Sequence, residues 1–102
     1  MARQPYINTR VSSGQSMIEI EKLLKKHNAQ AVRWTRMGND PPVLEFVFDV
    51  NVKNVQRQLG FRVVPPVVMV NRLVNGRKVR TRNEDAEMRL VYWYLKTRLE
   101  AV

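Results

Sequence analysis

The sequence predicts an α+β domain in which a curved antiparallel sheet of three to five strands carries two amphipathic helices on one face. Three observations point there. Apolar residues recur at three- and four-residue steps in two stretches, one towards each end of the chain. Between them apolar and polar residues alternate one for one, and clusters of Gly, Asn, Asp and Pro separate the stretches. A chain of 102 residues fits a single domain, 1–102, with no internal repeat and no linker.

Residues 1–13 hold only Tyr6, Ile7 and Val11 as large apolar side chains and read as an arm or an edge strand. A helix is expected from Ser16, because Ser16 and Glu19 have the spacing of a capping box, in which hydroxyl and carboxylate each bond the other's free backbone N–H. Met17, Ile20, Leu23, Leu24 and His27 form its apolar side, and Asn28 suits the left-handed turn that ends it. His27 reads as a helix-end residue beside the negative pole rather than as a catalytic base.

Residues 30–37 read as a strand, with Val32 and Trp34 on one face and Ala31, Arg33, Thr35 and Met37 on the other. Gly38-Asn39-Asp40-Pro41-Pro42 is dense turn chemistry that closes a hairpin. The next strand, 43–50, has the clearest alternation: Leu44, Phe46, Phe48 and Val50 make its core face. A third strand is expected over 55–64, with Val55, Leu59, Phe61 and Val63 in register and Arg57 interrupting the set. Pro65-Pro66 ends pairing because proline has no N–H for a ladder, and 67–70 suits a short edge strand. Residues 71–82 are polar and basic, with Asn75-Gly76 as a turn signal, and read as a mobile basic loop. Thr81 and Glu84 repeat the capping-box spacing, so the last helix starts there and runs to about Ala101. Its stripe of Met88, Val91, Tyr92, Leu95, Leu99 and Val102 is widened by Leu90, Trp93 and Tyr94. Such a helix calls for burial on more than one side, by core or by a subunit contact such as a homodimer.

Charge and composition bound the function. Eighteen Lys and Arg against nine Asp and Glu give a net charge of +9, which draws the chain to polyanions. With no cysteine and one histidine, the chain offers no disulfide framework, thiolate nucleophile or zinc finger. No apolar run approaches the roughly 20 residues needed to span a bilayer, and residues 1–11 lack the apolar core of a signal peptide. The expectation is a soluble, intracellular protein with no membrane partner.

Several segments resemble a group of short uncharacterised proteins from phage and environmental sequences. They are Ser16 with Ile20-Glu21-Lys22-Leu23-Leu24, the Trp34 strand, Glu45-Phe46, Leu59-Gly60-Phe61-Arg62-Val63 before prolines, and Arg89 with the terminal 95–102 run, Leu-Lys-Thr-Arg-Leu-Glu-Ala-Val. The chain departs from that pattern at Met88 and Val91-Tyr92-Trp93-Tyr94, which replace a Trp and a plainer aliphatic run. The resemblance implies a phage or mobile-element origin, hence the cytoplasm of a host cell. Some small basic phage proteins of this size handle single-stranded DNA during replication. It carries no catalytic motif with it.

The strongest functional signal in the residues is charge placement. Between Asp49 and Glu84 stand Lys53, Arg57, Arg62, Arg72, Arg77, Lys78, Arg80 and Arg82, with no acid among them. A phosphate backbone relieves that repulsion and releases counterions, and arginine adds forked contacts to phosphate. A plain solubility surface is the bland alternative, though mixed signs serve solubility better. Arg33-Trp34-Thr35-Arg36 and Gly60-Phe61-Arg62 set a ring beside arginine, as a stacking platform for unpaired bases would. Core packing competes for both rings, because strand alternation sends a ring and its neighbours to opposite faces.

Enzyme chemistry has little to work with. Glu45 and Asp49 lie about 13 Å apart along one strand face, too far to share a site. Asp40, Glu45 and Asp49 make a poor Mg²⁺ trio, and no phosphate loop, catalytic triad or metal-ligand spacing occurs. The sequence therefore predicts a non-enzymatic single-stranded nucleic-acid-binding protein without a cofactor, with DNA as ligand and RNA as the nearest variant. Arg57, Arg62, Arg72, Arg77, Lys78, Arg80 and Arg82 would hold phosphates, flanked by Arg33 and Arg36, while Trp34 stacks. A duplex binder is disfavoured because neither helix has a basic face to read a groove. From another class, the alternative is a structural or adaptor subunit that docks an acidic protein.

Overall fold

The computed structural model describes residues 9–101, so the expected N-terminal arm lies mostly outside the described residues, as does Val102. The order is α1 (Ser13–Lys26), β1 (Ala29–Thr35), β2 (Val43–Val52), β3 (Val55–Val63), β4 (Met69–Val74), β5 (Arg77–Arg82) and α2 (Glu84–Leu99). This is the expected α+β class, but the strands divide into two antiparallel sheets, β1-β2-β3 and β4-β5.

Both helix starts differ from the capping-box reading. Ser12 caps α1, its hydroxyl accepting the Gln15 N–H at 3.1 Å, and Asp85 of α2 accepts the Ser13 N–H at 2.7 Å. With those donors satisfied a turn earlier, Ser16 and Glu19 become inter-helix groups. The buried Ser16 hydroxyl accepts from Arg89 Nε at 3.3 Å, and the Glu19 carboxylate accepts from Arg89 Nη2 at 2.7 Å. Likewise α2 is capped by Asn83, whose side chain accepts the Ala86 N–H at 3.1 Å, and Thr81 stays in the preceding strand. The α1 end follows expectation: His27 is the C-cap and Asn28 takes a φ of 68°.

The register Trp34↔Leu44↔Val63 and Val32↔Phe46↔Phe61 puts these side chains on one face of the three-stranded sheet. Both helices pack on its β1-β2 half, where Ile20, Leu23, Leu24, Leu44, Phe46, Met88, Val91 and Leu95 form the core. Phe46 stacks on Phe61 with ring centroids 5.3 Å apart, and Phe48 meets both rings edge-on. Only part of the sheet is covered. Every residue from 51 to 62 and from 71 to 80 is exposed, so two hairpins run past the core. The radius of gyration, 16.3 Å, accordingly exceeds the roughly 13 Å of a compact domain this size.

The segment 71–82 is the main correction to the expected elements. It is a hairpin rather than a loop, its pairs running from Met69↔Arg82 to Val74↔Arg77. The turn explains it. Asn75 and Gly76 have φ of 51° and 77°, the double left-handed geometry whose twist matches paired strands, and Val70, Leu73, Val74 and Val79 supply strand-forming residues on either side. Lys53 and Asn54 turn β2 into β3 by the same left-handed pair, with φ of 51° and 65°.

Candidate nucleic-acid interface

The β4-β5 ribbon holds five of the ten expected contact residues, four along its length and the fifth, Arg82, at its root. Because successive strand residues point to opposite faces, Arg72 and Arg77 share one face with Val79, while Lys78 and Arg80 share the other with Asn71 and Leu73. All four cations are exposed, and none has an ion-pair partner among the described residues. Within 71–80 there is no acidic residue, and Leu73, 74% exposed, stands beside the turn. A lone two-stranded hairpin is marginal in water, so a ribbon bare on both faces needs a firm root.

That root is built on α2. Glu87 is wholly buried; its carboxylate accepts from Arg82 Nη2 at 2.8 Å, from Arg82 Nε at 3.2 Å and from the backbone N–H of Val68 at 2.9 Å. The carbonyl of the buried Val68 accepts the Asn83 N–H at 2.6 Å. The hydrogen bonds that Arg82 donates to Glu87 hold its guanidinium above its ordinary range, against the opposing pull of burial. Arg82, expected to hold phosphate, therefore serves as an anchor, with Glu84 a second acid at 3.6 Å.

The other expected residues are dispersed. Trp34 faces the helices, half-buried against the core, and its indole N–H donates to Glu21 at 2.8 Å. Arg33 lies on the uncovered face of the three-stranded sheet, paired with Glu45 at 2.8 Å, and Arg62 sits opposite the same Glu45. The Gln56, Gln58 and Arg62 row shares that face, but its cross-strand partners Asn51, Asp49 and Glu45 bring in two carboxylates. Arg57 stands near the tip of the β2-β3 hairpin, in the row of Val50. Arg36 lines an open cleft of about 550 Å³ beside the ribbon root, where Arg36, Arg72 and Arg82 are balanced by Asp40, Glu84 and Asp85. The ribbon is thus the one place among the described residues where several cations of the expected set stand together without an ion-pair partner, although Arg72 also borders the acids of that cleft.

No three His, Asp or Glu side chains lie close enough to hold a metal among the described residues, and no described helix is long and apolar enough to cross a membrane. Compared with known proteins, the chain matches no family model, no curated protein and no solved structure.

Sequence reasoning missed the hairpin and its buried anchor. The hairpin had a signal, since Asn-Gly favours the paired left-handed turn of a two-residue hairpin. Glu87 had none, because a carboxylate in the first turn of a helix reads as ordinary macrodipole complement.

Proposed function

We propose that this chain is a non-enzymatic nucleic-acid-binding protein that grips the sugar–phosphate backbone with its basic β-ribbon. One observation carries the proposal: Arg72, Arg77, Lys78 and Arg80 stand exposed on a projecting ribbon with no acid among them. Phosphates would relieve their mutual repulsion and release counterions. The single-strand preference expected from the sequence leaned on Trp34 as a platform, and that ring is turned toward the helices. What supports nucleic acid is therefore the charge, which serves DNA and RNA alike.

The test is a titration of the pure protein against a labelled single strand, its duplex and the matching RNA at several salt concentrations. With about four phosphates contacted, log K against log [salt] is expected to slope near −2.8 for a single strand and near −3.6 for a duplex. A slope near zero, or no saturable binding, would overturn the proposal and leave an acidic protein as the ribbon's partner.

A second reading, a self-associating structural subunit, is favoured by the uncovered half of the three-stranded sheet. Val52 of β2 and Val55, Leu59 and Phe61 of β3 lie on its helix side at about half exposure, and β3 is an edge strand, paired with β2 and open on its other side among the described residues. An edge of this kind pairs with its own copy about a two-fold axis. The chain is then expected to sediment as a homodimer at micromolar concentration, and Leu59→Glu as a monomer with an unchanged far-UV spectrum. A wild-type monomer would remove this reading.

A further inference from the structure

We infer that the ribbon's ligand is a double helix, with β4 and β5 lying in its major groove so that one ribbon face meets base edges and the other reaches phosphate. This rests on the nucleic-acid reading above and names the form of the ligand.

Arg72 and Arg77 lie on one face and Lys78 and Arg80 on the other, each pair exposed. A single strand laid along a ribbon touches one face and leaves the opposite pair in water. A groove has phosphates on both sides and bases at its floor. Whichever face turns inward, its long side chains meet base edges, and those of the outer face reach back to the phosphates at the rims. Only an enclosing ligand uses all four.

Size agrees. Two strands spaced about 4.8 Å apart, with side chains, fill roughly 10 Å, which fits the major groove at about 12 Å and not the minor groove at about 6 Å. Six residues per strand span about 20 Å, or some six base pairs. A groove admits a two-stranded ribbon as readily as a helix, so the lack of a basic helix face does not count against a duplex. Leu73, beside the turn and 74% exposed, supplies apolar contact of the kind a thymine methyl receives. At the other end, the Arg82–Glu87 pair fixes the ribbon to the folded body, which keeps its entry angle.

The two faces can be tested separately in the full chain. Arg72→Ala/Arg77→Ala and Lys78→Ala/Arg80→Ala would each be titrated against a 20-base-pair duplex and against one of its strands, across salt. All four positions are exposed, and circular dichroism would confirm that each variant keeps its fold. On the duplex, each pair is expected to weaken binding about tenfold or more, the pair on the outer face also flattening the salt slope by about 1.8, with the duplex bound more tightly than the strand. If one pair alone matters, or the single strand binds as tightly as the duplex, groove enclosure is overturned while the nucleic-acid reading stands. If neither pair changes binding, the ribbon reading falls as well. As an independent arm, methylation of guanine N7, which lies in the major groove, is expected to interfere with binding. A ligand indifferent to it would also overturn the proposal.

Discussion

Glu87→Ala is expected to destabilise the fold by about 3–5 kcal/mol, the cost of leaving one partner of a buried ion pair uncompensated. Glu87 is wholly buried, and the Arg82 side chain is only 18% exposed. Without the carboxylate, the guanidinium keeps Glu84 alone, at 3.6 Å, and the Val68 N–H loses the acceptor that it has inside the protein. For a domain of this length, the loss corresponds to a drop in Tm on the order of 20 °C. Glu87→Gln retains an acceptor for Val68 without the charge, so its Tm should fall between the two. Joint replacement, Arg82→Met with Glu87→Leu, removes both charges and should recover much of the loss, because a buried pair is worth less than the damage of breaking it. Thermal melts followed by circular dichroism check the order; a Glu87→Ala protein melting within a few degrees of wild type would refute the anchor. The pair brings no pH dependence from its arginine. Its pKa is raised, so the contribution is present at every pH below the ordinary arginine value and is lost only above it.

That anchor marks where the sequence stopped being legible. Strand 43–50 could be read because its alternation is a local property of the chain, and the structure puts Leu44 and Phe46 in the core as the pattern requires. Asn28 could be read for the same reason. Ser16 and Glu19 misled, since their spacing suits a capping box as well as it suits two groups on one helix face that meet Arg89, 70 or more residues further on. Arg82 misled in the same way: as one more cation in an acid-free tract it looked available, and only the fold brings Glu87 to it. The ribbon was hidden by its composition, because strands exposed on both faces lose the alternation that reveals a half-buried one. The proposed interface is therefore narrower than the sequence suggested. Charge counts were visible along the chain, but which charges stand free depends on contacts between distant elements.

Trp34 decides how much of the sequence-based interface survives. Its ring packs on the helix side of the sheet and its indole N–H donates to Glu21, so Trp34→Ala opens a gap between β1 and α1 and strands an acceptor. A loss of about 3 kcal/mol is expected, the lower end for removing a tryptophan because this one is half-buried. Trp34→Phe keeps most of the packing and forfeits the hydrogen bond to a partly solvated carboxylate, which is worth about 1 kcal/mol. Neither change touches the ribbon, so nucleic-acid affinity measured on the folded variants should stay within about twofold of wild type. A stacking platform predicts the reverse, a loss of about 1–3 kcal/mol in binding with stability intact. Fluorescence gives a second check in a Trp93→Phe background, where Trp34 is the sole indole. Ligand saturation should leave its emission unchanged; quenching on adding a single strand, together with weakened binding by Trp34→Ala, would return the ring to the interface and the single strand to the ligand.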